Sequence, residues 1–168
     1  MNASIHRLLG VLAIIAVAFP TSAGANAPAG QYVVTAGGTG NGTVYDTKSK
    51  LTWQQTISST TTLAGSTPRT FTWAAAKTYC AGVGASLGGT GWRLPTLKEL
   101  QSLVDYSQST ATMMIDPNAF PSTPAAGFWS ASPLAGSSSS VWLVDFIDGT
   151  TAFAAVVPGY GALVRCVR

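Results

Sequence analysis

Apolar positions along this chain form one long leading run and then many short strings. Residues 8–19 (LLGVLAIIAVAF) make a twelve-residue apolar run, too short to cross a bilayer, which needs about 20 residues. Arg7 precedes the run, Pro20 breaks it, and the small-x-small patterns Ala23-Gly24-Ala25 and Ala25-Asn26-Ala27 follow. This is the layout of a cleaved secretory signal peptide, expected over residues 1–27. Residues 28–42 are a short Gly-, Thr- and Ala-rich segment around Tyr32-Val33-Val34, which reads as a first strand. Thr43-Val44-Tyr45 and Leu51-Thr52-Trp53 flank the polar turn 46–50 and read as a hairpin. Residues 55–70 are polar and lack any period.

The period then changes. Thr72 is placed as a helix N-cap. Trp73, Ala76, Cys80 and Val83 share one helical face, and Gly84 is the expected C-cap. Trp92-Arg93-Leu94 is extended before Pro95. Thr96 and Glu99 form a capping box, so a second helix is expected over about 97–105. Residues 106–126 carry Pro117, Pro121 and Pro124 and read as a long loop. Strands are expected at Phe128-Trp129-Ser130 and at 141–147, where Trp142, Val144 and Phe146 would share a face. Asp148-Gly149 signals a tight hairpin, with a returning strand over 150–157 and a closing strand over 163–167. A hairpin, two short helices and an antiparallel meander make one α+β domain over 43–168.

Composition narrows the function. Charged residues are only 9% of the 168, against a usual figure of about 25%. That argues against nucleic acid as partner, because phosphate binding needs clustered Lys and Arg. Nothing after the leading run is apolar enough for stable membrane insertion. Cleavage at residue 27 removes the single histidine, His6, and Glu99 is the only glutamate. Ser-His-Asp, Cys-His and paired-glutamate chemistries therefore lack their residues, and no enzyme activity is expected. Cys80 and Cys166 are the only cysteines. In an exported chain (periplasmic, cell-surface or extracellular) such a pair reads as one disulfide. It closes a loop long enough to contribute about 4.5 kcal/mol on the chain-entropy account.

The remaining residues offer competing roles. Trp92, Trp129 and Trp142 could stack on sugars, but their apolar neighbours point to core packing. Arg93 could bind an anion or pair with a carboxylate such as Glu99 or Asp145. Asp116, Asp145 and Asp148 could supply oxygens to Ca²⁺, the one cofactor suggested, though turn-forming roles suit them equally. Arg165 and Arg168 could join Lys77 or Lys98 in a basic patch for sulfated glycans. Loop residues with no structural explanation are the better ligand candidates: Tyr106, Asn118, Ser139 within the serines at 137–140, and Tyr160.

Several strings carry a family likeness. Val44-Tyr45-Asp46-Thr47, Leu51-Thr52-Trp53-Gln54, Thr72-Trp73-Ala74-Ala75-Ala76 and Tyr79-Cys80 occur in order. They are followed by Gly91-Trp92-Arg93-Leu94-Pro95-Thr96, Glu99-Leu100, Ile115-Asp116-Pro117, Phe128-Trp129-Ser130 and Val164-Arg165-Cys166-Val167-Arg168. In these strings the chain resembles the bacterial Lcl C-terminal domain family, found in exported proteins and at the tip of a collagen-like adhesin. WRLPT with Glu99 also resembles the formylglycine-generating enzyme superfamily. Both likenesses imply a C-type-lectin-like fold, often with a disulfide from helix to last strand, in agreement with Cys80–Cys166. The enzymes' copper-holding cysteine pair has no counterpart here, so their activity is not implied. Ala75 departs from the family's usual Glu and leaves the first helix without a full capping box. The family implies a non-catalytic binding module for a glycan, cell surface or matrix. The alternative is a structural or assembly subunit of an extracellular appendage or matrix.

Overall fold

The computed structural model describes residues 27–37, 42–57, 70–108 and 113–168, so nearly all of the expected signal peptide and part of the polar loop after β3 lie outside the described residues. Strands β1 (Tyr32–Thr35), β2 (Thr43–Asp46) and β3 (Thr52–Gln54) pair antiparallel in that order. The β2–β3 turn is built on Asp46, which is 1% exposed. Its carboxylate accepts from the Lys48 amide (2.9 Å) and the Ser49 hydroxyl (2.6 Å), and its carbonyl accepts from the Lys50 amide (2.8 Å). A carboxylate so buried needs such donors to offset lost hydration.

Helix α1 (Trp73–Gly82) starts as expected, with the Thr72 hydroxyl accepting from the Ala75 amide. Its buried side is Ala76 and Cys80, and Val83 is buried just beyond it. Gly84 is not its C-cap. It opens a second helical turn, α2 (Gly84–Leu87), and the residue in left-handed conformation is Gly88, at φ +73°. Glycine at 84 serves close approach instead: a Cβ there would meet the Gly89 carbonyl at 2.6 Å. Helix α3 (Leu97–Gln101) has the expected capping box but ends four residues early. The Leu103 and Val104 amides turn back to the carbonyls of Leu100 and Gln101, tightening the chain out of the α-helix.

Strands β4 (Gly127–Pro133), β5 (Ser140–Asp145) and β6 (Thr151–Ala155) form a second antiparallel sheet in chain order. The hairpin expected around Asp148-Gly149 is present, with Gly149 at φ +71°, but β5 ends at Asp145 and the connection is a four-residue loop, 146–149, rather than a tight two-residue turn. Strand alternation sends side chains to two cores. Phe128 and Val144 face one, with Trp53, Leu100, Phe120 and Phe146. Trp129, Val141 and Leu143 face the other, with Ala76, Cys80, Trp92 and Val164.

Two expectations about the second half need correction. Trp142 does not join the core with Val144. It lies on the same side of β5, belongs to neither core, and meets Phe153 edge-to-face at 6.1 Å. Phe146 lies beyond the end of the strand. The segment 163–167 is not a regular strand either. Leu163 bridges Phe128 in parallel, Ala162 bridges Phe71, and Val167 bridges both Trp53 and Arg93. The segment crosses between the two sheets, so its partners change every few residues and no single ladder can grow.

Candidate functional site

The Cys80–Cys166 disulfide joins α1 to this crossing segment, with both cysteines fully buried and their Cα atoms 5.3 Å apart. Around it lies a buried polar lattice. Gln54 accepts the Cys166 amide at 3.2 Å and donates to the Tyr79 hydroxyl at 2.9 Å. Arg165 is 1% exposed, which removes it from any surface basic patch. Its guanidinium donates to the carbonyls of Gln54 (2.9 Å) and Gln55, and to the Thr123 hydroxyl (2.9 Å). The rings of Phe120 and Phe128 lie 4.6 and 5.7 Å from it. Burial pulls its pKa down to about 9, which leaves it charged at neutral pH. Of the other expected patch members, Lys77 lies over the Trp73 ring and Arg168 over the Trp92 ring.

Arg93 pairs with Glu99 through two bonds of 2.8 and 2.7 Å. Glu99 also accepts the Thr96 amide at 2.7 Å. These contacts, Arg93 first, hold the Glu99 carboxyl below the usual carboxylate range. A group whose folded pKa is depressed contributes stability above its unfolded pKa of about 4.3 and loses it as pH falls through the folded value. The pair is part-exposed, so the effect is about 0.5–1 kcal/mol. Urea midpoints at pH 7 and pH 3 are expected to fall further for the wild type than for Glu99→Gln. Equal falls would assign the acid sensitivity elsewhere.

The four candidate ligand residues do not form one site. The Tyr106 hydroxyl donates to the Gly149 carbonyl at 3.2 Å, on the turn at one end of β5 and β6. Ser139 sits at the other end, where its carbonyl accepts the Val156 amide at 2.8 Å. The Tyr160 ring packs edge-to-face on Trp129 at 5.5 Å. Asn118 is exposed on a turn stabilised by Asp116, whose Oδ1 accepts the Asn118 and Ala119 amides at 2.8 and 3.1 Å. The three aspartates do not gather either. Asp145 accepts the Ile147 amide and Asp148 accepts the amide and hydroxyl of Thr150, both on the β5–β6 turn. Among the described residues, no group of three or more His, Cys, Asp or Glu is placed to hold a metal ion.

What the structure does bring together is Asn118, Asp116 and Tyr32. They line a cleft of about 350 Å³ in the uncleaved chain, with Pro28, Gly30 and Val34 on its other walls and Ala27, which the expected cleavage removes, at its edge. A neighbouring cleft of about 290 Å³ shares Tyr32 and Asp116 and adds Asp105 and Ser107. The Tyr32 phenol is pushed well above its ordinary pKa, first by burial and then by the charges of Asp46, Asp116 and Asp105. Sequence reading treats Tyr32 only as a strand residue. Its carboxylate neighbours come from three distant segments, and no local pattern announces them.

Two small antiparallel sheets, short capped helices and one buried disulfide define a disulfide-clamped α+β domain. The family model of the Lcl C-terminal domain matches residues 42–168, and the chain belongs to that family. No curated protein matches the chain. Among the described residues, no helix is long and apolar enough to cross a membrane.

Proposed function

We propose that this chain is an exported, non-catalytic binding module of C-type-lectin-like fold that recognises a glycan of a cell surface or matrix. The observation that carries the reading is the single cleft uniting Asn118, Asp116 and Tyr32. Sugar hydroxyls need donors and acceptors in close array. Asn118 supplies both on an exposed amide. Asp116 supplies acceptor oxygens, fixed in place by two backbone amides. Tyr32 offers a phenol hydroxyl on the cleft wall. The cleft is within the size range of small-ligand sites. Export is supported by the leading apolar run and by the disulfide, which persists in oxidising compartments.

A glycan array probed with the mature chain, with and without Ca²⁺, tests this reading. Asn118→Ala removes an exposed side chain and leaves the Asp116 turn intact. It is expected to weaken binding of any array hit about tenfold, the scale of one or two hydrogen bonds, with an unchanged melting temperature. Undiminished binding by Asn118→Ala would move the site elsewhere, and a blank array would overturn glycan recognition.

A further inference from the structure

β6 is the outer strand of the second sheet. Two bonds fix its phase: the Asp145 amide donates to the Thr150 carbonyl and the Val156 amide to the Ser139 carbonyl, at 2.9 and 2.8 Å. In an antiparallel ladder the pairing alternates, so residues 150, 152, 154 and 156 bond toward β5. The amides and carbonyls of Thr151, Phe153 and Ala155 then point outward. Among the described residues, no strand pairs with this edge. Natural edges are usually guarded by charge or proline. Residues 149–157 (GTTAFAAVV) contain neither.

We propose that β6 pairs antiparallel with β6 of a second copy of this chain, about a two-fold axis at Phe153. The two three-stranded sheets join into one of six strands. In this register Phe153 faces Phe153 of the second copy, Thr151 faces Ala155, and Ala152 faces Ala154. Every outward amide and carbonyl of the three residues gains a partner.

Three observations favour a second copy as the occupant. A two-fold interface must be self-complementary, and Thr-Ala-Phe-Ala-Ala reads nearly the same in both directions about its centre. A copy of the same chain presents identical charges, and this strand has none to repel it. Phe153 is 60% exposed and already paired with Trp142, so the axis lines up four rings, Trp142 and Phe153 from each copy. A five-residue edge is small beside the roughly 1,200 Å² of a standard interface, so the dimer is weak and concentration-dependent. The pairing stands apart from the glycan reading, because the Asn118 cleft is not on this edge. It also gives the expectation of an assembly subunit a physical form, and it would double the cleft for a polymeric ligand.

Sedimentation equilibrium of the mature chain over a rising concentration series tests the proposal, with circular dichroism melts to confirm folding. The wild type is expected to show a monomer–dimer equilibrium. The double variant T151K/A155K puts like charge opposite like charge at both ends of the pairing and is expected to weaken the dimer at least about tenfold. T151E/A155K puts Glu opposite Lys at both ends and is expected to restore or strengthen it. A wild type that stays monomeric throughout overturns the proposal. So does a T151E/A155K variant as weak as T151K/A155K, because the antiparallel self-register requires the opposite.

Discussion

Removing the Cys80–Cys166 bridge is expected to lower the unfolding free energy by about 4.5 kcal/mol. The two cysteines are 86 positions apart, so opening the bond frees a long loop in the unfolded chain. A domain of this size has a total stability of about 5–15 kcal/mol, so the loss takes a large share. The position of the bond adds to the expectation. It fixes α1 to the segment that bridges Trp53, Arg93 and Phe128, and thereby holds the two sheets in one body. Urea unfolding of residues 28–168, oxidised and reduced, gives the measurement. A difference below about 1 kcal/mol would mean that the noncovalent lattice around Gln54 and Arg165 clamps the segment unaided.

Replacing Arg165 by Met should cost about 3 kcal/mol. The guanidinium satisfies the Gln54 and Gln55 carbonyls and the Thr123 hydroxyl, all linked to a side chain 1% exposed. Each buried acceptor left without a donor costs about 1–3 kcal/mol. Part of that sum is offset, because burying the guanidinium carries a desolvation cost of its own. Arg165→Lys should fall between the wild type and Arg165→Met, since a point-like ammonium cannot reach three acceptors in fork geometry. Chemical denaturation midpoints of the three proteins give the order. If Arg165→Met matched the wild type, the desolvation cost would be cancelling the hydrogen bonds.

These two sites show what the sequence does and does not reveal. The cysteine pair was legible because two thiols allow one pairing. The Thr96–Glu99 capping box and the hairpin around Asp148-Gly149 were legible because their chemistry is local. The Arg93–Glu99 pair was one of two alternatives. Arg165 was not legible: an arginine between Val164 and Cys166 reads as a surface charge, and β3, Thr123 and the rings of Phe120 and Phe128, all distant in the chain, come together to bury it. Trp142 was misplaced for a related reason. Alternation put it on the correct side of β5, but no local pattern tells where the cover over that side ends. Phe153 was not legible as the partner of Trp142: a count centred on Asp148-Gly149 sets Phe153 opposite Val144, whereas the loop spans 146–149 and the register shifts to bring Phe153 opposite Trp142. The Asn118 cleft was half legible, as a loop candidate without its partner Tyr32, which arrives from β1, far away in the chain.

The crossing segment has a further consequence, for the time the chain takes to fold. Its contacts with β3 join residues 112 positions apart, and its partners come from four separate places in the chain. Neither core can close until those long loops have formed. Topologies dominated by such distant pairings fold slowly, in milliseconds to seconds, because closure entropy is spent before the contacts reward it. During that interval the uncharged segment 149–157 lies open to other chains, so slow closure lengthens the time in which partly folded chains can associate.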